Sequence, residues 1–114
     1  MSVKLTTRQV GDVTVIDANG RITLGEGSST FRESIKDLTA FGNRKLLLNL
    51  GDVTYIDSSG IGEMVSAFTS VTNQGGQLKL LNLTKRVKDL LQITKLYTVF
   101  EVFDDEAAAV RSFS

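Results

Sequence analysis

The sequence predicts an α/β fold in which an N-terminal β-hairpin is followed by alternating strands and helices. Residues 3–15 alternate apolar and polar side chains on both sides of a Gly11-Asp12 pair, as two strands joined by a tight turn do. From residue 31 onwards, apolar runs alternate with segments whose apolar residues recur every three or four positions. This alternation implies a mixed, mostly parallel sheet with about four helices packed on it.

The hairpin and the first helix form the N-terminal part of the prediction. The first strand has one polar face, as an edge strand should. A glycine-rich stretch from residue 20 to residue 30 then leads into a helix with apolar residues at positions 31, 35 and 38. Ser28 or Ser29 can cap this helix. The stretch lacks the Gly-Lys-Ser/Thr ending of a phosphate-binding loop, which favours a plain connecting loop.

Two nearly continuous apolar runs predict strands that are buried on both faces, Lys45–Leu50 and Gln77–Leu83. The segment between them has apolar residues at helical spacing, and Gly75-Gly76 marks the end of that second helix because glycine readily forms a left-handed cap. We expect the core to include residues from both runs and one helix face, namely Leu47, Leu48, Ile61, Val65, Phe68, Leu78 and Leu80.

The C-terminal part is predicted to be helix, strand and helix. Thr84 can cap a short third helix, and residues 99–103 are predicted to form the last strand. Asp104 can cap a terminal helix that carries Asp105 and Glu106 in its first turn. Because the sequence contains no repeat, low-complexity segment or linker, we expect residues 1–114 to form a single domain.

The composition narrows the classes of function. The chain has no histidine and no cysteine, which excludes a Ser-His-Asp triad, disulfides and zinc sites built on these residues. Thirteen basic residues balance thirteen acidic ones, whereas proteins that bind nucleic acid usually have a basic excess. We therefore expect no direct contact with nucleic acid. A magnesium site made of carboxylates remains compatible with the composition, but no motif points to a metal or a cofactor.

The sequence also predicts a cytoplasmic protein. The N-terminal residues lack the apolar run of a signal peptide. No stretch approaches the roughly 20 apolar residues that a membrane-spanning helix needs. The absence of cysteine suits a reducing compartment. We therefore expect no contact with a membrane.

The most informative segment runs from Asp57 to Gly62 and joins a buried strand to the second helix. Partners of open α/β sheets favour the carboxyl ends of strands, and Asp57 or Ser58 can cap the free N–H groups of the helix. Glycine costs about 1 kcal/mol against alanine inside a helix, so Gly60 and Gly62 suggest a close approach to the backbone. These residues alone are compatible with a simple helix cap or with a binding site.

The segment and its flanks resemble the STAS family of anti-sigma-factor antagonists. Asp57–Gly62 looks like the hallmark loop of that family. A leucine-rich strand, Leu46–Val53, precedes the loop, and Gln74–Leu78 follows the second helix. Leu96–Asp104 resembles the last strand of the family and the start of the helix after it. The resemblance covers essentially the whole chain and implies a STAS-like fold.

The resemblance implies that Ser58 is a phosphorylation switch. In the family, the first serine of the loop is phosphorylated by a serine kinase that is also the anti-sigma factor. The unphosphorylated antagonist binds this kinase, which then releases a sigma factor. The phosphorylated form dissociates from the kinase, and a metal-dependent serine phosphatase removes the phosphate. The partner-binding residues are then expected to be Asp57, Ser58, Ser59, Gly60, Ile61, Gly62, Thr23 and Glu26.

One position departs from the family pattern. Family members commonly carry an acidic residue shortly after the glycine that ends the second strand, where it helps in kinase recognition. In this chain, Thr23 stands about where that aspartate falls, and Glu26 lies further along the loop. This departure bears on which kinase binds and leaves the predicted fold unchanged.

Two other interpretations stay open. In a non-switching docking subunit of a stressosome or a lipid-transport complex, the same loop would be a contact surface without phosphorylation. In an enzyme, Ser58 would need a base, and a carboxylate with an ordinary pKa of about 4 is a poor one. Without histidine, the sequence favours a binding protein over an enzyme. Weak nucleotide contact at the start of the second helix is compatible with its free N–H groups.

Overall fold

A five-stranded mixed sheet lies at the centre of the structure, which is a computed structural model. It describes residues 3–23 and 25–113, with the side chains of residues 26–28 outside the description. The elements in chain order are β1 (Val3–Val10), β2 (Val13–Ile22), α1 (Glu26–Ala40), β3 (Lys45–Ile56), α2 (Ser58–Asn73), β4 (Gln77–Leu81), α3 (Lys85–Ile93), β5 (Val102–Phe103) and α4 (Glu106–Arg111). This order is the predicted one.

The strands follow one another across the sheet in the order β1-β2-β3-β4-β5. β1 pairs antiparallel with β2, and the later neighbours are parallel, which confirms the mixed, mostly parallel sheet. From β2 onwards, each connection joins a strand to the next parallel strand, and all three connections run in the same direction across the sheet. Because such crossovers are right-handed, α1, α2 and α3 fall on the same face, and their apolar residues share one hydrophobic cluster. The short α4 packs on the opposite face.

The N-terminal hairpin has the predicted tight turn. Val10 and Val13 are register partners, so Gly11 and Asp12 form a two-residue connection. Gly11 has a φ of 63°, a left-handed conformation that glycine adopts without steric cost. β1 is an edge strand with mostly exposed side chains, as predicted.

The predicted core is confirmed for its strand residues and for Ile61, since all of the following are buried: Leu47, Leu48, Leu78, Leu80 and Ile61. The prediction is wrong for Val65 and Phe68, which are only partly buried. α2 instead turns Met64 and Ala67 towards the sheet. Phe68 lies on the flank of the helix, where its ring meets that of Phe100 edge-on with centroids 5.3 Å apart.

The predicted cap of α1 is wrong. The helix begins at Glu26, and its N-cap is Gly25 without a side-chain hydrogen bond. Ser28 and Ser29 therefore lie in the first turn, after the cap. Gly25 has a φ of 96°, so the chain enters the helix through a turn that favours glycine.

Two predicted boundaries near the C-terminus are also wrong. The last strand is Val102–Phe103, shorter than predicted, because only Leu80 and Leu81 of β4 find partners there. Asp105, instead of Asp104, caps α4 by accepting a hydrogen bond from the backbone N–H of Ala108 at 3.0 Å.

The other helix ends match the prediction. Thr84 caps α3 by accepting from the N–H of Val87. After α2, Gly75 takes a φ of 81°, and the N–H of Gly76 donates to the carbonyl of Val71. The N–H of Gly75 likewise donates to the carbonyl of Thr72 at 3.0 Å, so these two hydrogen bonds satisfy carbonyls that the end of the helix leaves free. Within the described ranges, no helix is long and apolar enough to span a membrane.

Candidate functional site

The candidate site is the junction between β3 and α2. The strand ends at Ile56 and the helix begins at Ser58. Asp57 lies between them in an extended conformation, and its Oδ1 accepts a hydrogen bond from the N–H of Gly60 at 2.9 Å. A carboxylate at this position satisfies one of the N–H groups that a helix start leaves free. Asp57 is therefore the cap of α2.

Ser58 is the first residue of this 16-residue helix, and its side chain is exposed. Ser59 is half-buried. The partial positive charge of a helix N-terminus favours an anionic group at such a position, whereas the carboxylate of Asp57 opposes it. The Ser58 hydroxyl thus stands at the surface, where a second protein can reach it.

The two glycines of the junction have different surroundings. A Cβ on Gly60 would lie 2.3 Å from the carbonyl oxygen of Ile22 and 2.7 Å from Cγ1 of Ile56. The close approach that the sequence suggested is therefore internal at Gly60, where the first turn of α2 packs directly on the end of β2. A Cβ on Gly62 would meet nothing within 4 Å, so Gly62 faces open space beside Ser58.

The end of β2 lies beside the junction. Ile22 and Ile56 are register partners, and the N–H of Asp57 donates to the carbonyl of Ile22 at 3.4 Å. Thr23 follows directly and is half-buried, so the structure brings it to the junction. Glu26 begins α1, but its side chain lies outside the described part of the chain.

An ion pair that sequence reasoning missed links α1 to α2 beside the junction. Arg32 on α1 and Glu63 on α2 approach to 2.7 Å, and the Glu63 side chain is only 14% exposed. The carboxylate of Glu63 raises the pKa of the Arg32 guanidinium above its ordinary value. The pair ties the two helices together next to the first turn of α2. No local pattern could indicate it, since its members are 31 positions apart.

A second missed feature is a stack of two arginines on one tyrosine. The guanidinium carbon of Arg86 lies 4.1 Å from the ring centroid of Tyr55, and that of Arg21 lies 5.0 Å from it. Tyr55 precedes Asp57 by two positions, and Arg21 precedes Thr23 by two positions. Both arginines are exposed. We call these three residues the arginine stack.

Among the described residues, no group of three or more histidine, cysteine, aspartate or glutamate side chains could hold a metal ion. The groups that the junction does present are the hydroxyl of Ser58, the N-terminus of α2 and the neighbouring arginine stack. These groups suit the recognition of another protein.

Comparisons with known proteins give the chain a family. The STAS domain family matches residues 4–109. Over 71 residues the chain is 41% identical to the anti-sigma-B factor antagonist of Bacillus subtilis, with 62% of this chain and 64% of that protein covered. Over 102 residues it is 31% identical to a candidate anti-sigma factor antagonist of Thermotoga neapolitana, with 89% of each covered.

A solved structure agrees with this sequence match. The crystal structure of a candidate anti-sigma factor antagonist from Thermotoga maritima has a TM-score of 0.88 to this chain at 25% identity, covering 96% of this chain and 93% of that one. The hairpin, the mixed sheet and the four helices are thus the predicted STAS-like fold. Because the family match spans nearly the whole chain and the fold agrees with it, this chain belongs to the STAS domain family.

Proposed function

We propose that this chain is an anti-sigma-factor antagonist and that phosphorylation of Ser58 switches off its binding to an anti-sigma factor. The names of its relatives in Bacillus and Thermotoga support the first part. The second part depends on one observation, the exposed hydroxyl of Ser58 at the first residue of α2. The chain acts as a binding protein in the cytoplasm, and its chemistry is supplied by the partner kinase and a metal-dependent serine phosphatase.

The proposed contact surface is centred on the exposed part of the junction. Ser58 and Gly62 are both exposed there, while Asp57 keeps the first turn of α2 in place through its hydrogen bond to Gly60. Thr23 and Glu26 border this surface on the side of α1. The unphosphorylated surface binds the anti-sigma factor, which then releases its sigma factor.

Phosphorylation is expected to act at the interface and leave the fold intact. It adds roughly −1.5 to −2 charge at pH 7. The helix N-terminus favours this charge by about 0.3–1 kcal/mol, whereas the negative charge of the neighbouring Asp57 opposes it. These two effects on the stability of the fold are small and of opposite sign, so they nearly cancel. A dianion facing a close-fitting or acidic partner costs several kcal/mol through desolvation and repulsion. A loss of about 3 kcal/mol weakens binding more than a hundredfold.

The decisive experiment combines phosphorylation with binding. The anti-sigma factor kinase of the same host is incubated with the chain and ATP, and the peptide containing Asp57–Gly62 is analysed by mass spectrometry. We expect one phosphate on Ser58 in the wild type and in Ser59→Ala, and none in Ser58→Ala. In a binding assay, Ser58→Ala should retain the affinity of the wild type and Ser58→Asp should bind poorly.

Each other outcome has a defined meaning. A phosphate on Ser59 would move the switch by one residue. Stable binding without any phosphorylation would favour the docking subunit of a stressosome or a lipid-transport complex. Charge reversal at Glu26 should alter the affinity without changing the melting temperature, and an unchanged affinity would remove the start of α1 from the proposed interface.

A further inference from the structure

We propose that the arginine stack is a second contact area for the anti-sigma factor and that it receives acidic side chains of that partner. The inference rests on the proposed function and adds the chemistry of the partner surface. It starts from Arg21, Tyr55 and Arg86, which come from β2, β3 and α3 and meet beside the Ser58 junction.

The charges of the stack are not neutralised within the described part of the chain. Several cations do have carboxylate partners within 4.0 Å, namely Arg8, Arg32, Lys45, Lys79 and Lys85. Arg21 and Arg86 form no such pair among the described residues, and the guanidinium group of each lies over the ring of Tyr55. Two guanidinium groups beside one ring repel each other, and an anion between or next to them relieves that repulsion. A carboxylate suits this place because guanidinium groups bind it in a bidentate geometry.

Stacking also prepares the arginines for binding. Ordering a long side chain at an interface costs about 0.5–1.5 kcal/mol. The ring of Tyr55 already restricts both guanidinium groups, so less of this cost remains when a partner binds. Exposed cation–π contacts are themselves worth about 0.5–1 kcal/mol each.

The surroundings leave room for a partner. β4 pairs with β3 only as far as Asn49, while β3 continues to Ile56. An open hollow of about 630 Å³ therefore lies between the end of β3 and the start of α3, and Asp52, Lys85 and Arg86 contribute to its lining. Lys85 is paired with Asp89. Of the charged residues that line this hollow, Asp52 and Arg86 therefore remain without an ion pair within the described part of the chain.

The location explains how the two areas act together. Tyr55 and Arg21 lie two positions before Asp57 and Thr23, so a partner that covers the junction also reaches the stack. A partner with acidic groups over the stack would meet a phosphate on Ser58 as an additional negative charge. Like-charge repulsion would then help to expel it.

The test measures the affinity of the purified anti-sigma factor for a set of variants by titration calorimetry at about 50 mM and about 500 mM salt, where screening differs strongly. We expect Arg21→Glu and Arg86→Glu each to weaken binding about tenfold at low salt and less at high salt. Tyr55→Phe should keep the affinity because it keeps the ring, whereas Tyr55→Ala should weaken binding although both arginines remain. Lys36→Glu on α1 is the matched control, and its affinity should equal that of the wild type.

The result that would overturn the inference is wild-type affinity in both arginine reversals while Ser58→Asp loses binding. In that case the proposed function stands and the stack is not part of the interface. If the wild-type chain itself does not bind the anti-sigma factor, the proposed function fails and the inference fails with it. The arginine side chains are exposed, and each reversal removes one cation–π contact worth about 0.5–1 kcal/mol. Both arginine variants should therefore melt only a few degrees below the wild type and stay folded at the assay temperature.

Discussion

The two glycines of the junction allow a stability test with opposite signs. Gly60→Ala places a Cβ 2.3 Å from the carbonyl oxygen of Ile22 and 2.7 Å from Ile56 Cγ1, whereas ordinary contacts begin at 3.4 Å. To remove this steric clash, the first turn of α2 and the end of β2 must move apart by about 1 Å. Gly62→Ala adds a methyl group that meets nothing within 4 Å.

The magnitudes follow from these distances. Overpacking costs about 1–3 kcal/mol, and the upper part of that range applies to Gly60 because one of the colliding atoms belongs to the backbone. The higher helix propensity of alanine relative to glycine offsets at most about 1 kcal/mol of this loss. We therefore expect Gly60→Ala to lower the free energy of unfolding by about 2 kcal/mol. Gly62→Ala should raise it by about 0.5–1 kcal/mol, since only the propensity gain applies there.

Urea titration followed by circular dichroism measures both changes. With an m-value of about 1–3 kcal/mol/M, Gly60→Ala should lower the urea midpoint by about 1 M, and Gly62→Ala should raise it slightly. Unchanged m-values would show that both variants unfold in the same way as the wild type. A Gly60→Ala protein as stable as the wild type would refute the packing of α2 on Ile22, and with it the described position of Ser58.

Three further predictions concern the cap, the pH dependence and the core. Asp57→Ala should lose about 0.5–2 kcal/mol of stability in urea, whereas Asp57→Asn should lose little; equal losses would argue against the hydrogen bond to Gly60. Hydrogen bonds from Arg8 lower the pKa values of the Asp17 and Glu106 carboxyl groups below their ordinary 3.8 and 4.5, so their stabilising effect is complete above those values and disappears as the pH falls further. Thermal melts between about pH 5 and pH 2 should therefore fall less steeply for Arg8→Ala than for the wild type, and parallel curves would contradict this. Phe68→Ala should cost about 1–3 kcal/mol, below the roughly 3–5 kcal/mol of a fully buried phenylalanine, and a larger loss in urea would contradict its partial burial.

Local sequence signals predicted the parts of the candidate site that depend on a few neighbouring residues. The end of a leucine-rich run, a capping residue and two glycines lie within one short segment, and each has its own conformational preference. A helix start at this segment with a cap at Asp57 or Ser58 could therefore be predicted, and the structure assigns the cap to Asp57. The cap of α1 was mispredicted because serine is a frequent N-cap, whereas this helix begins after Gly25.

The tertiary structure decided which distant residues meet at the site. The sequence by itself determined the element order, the hairpin turn and the exposed serine at a helix start, because hydrophobic periodicity and capping act over only a few residues. The ion pair of Arg32 with Glu63 and the meeting of Arg21 with Tyr55 depend on the register of β2 against β3 and on helix packing. Register is set by the whole sheet and its core. A pattern read along one segment therefore contains no information about which side chain of another segment will lie beside it.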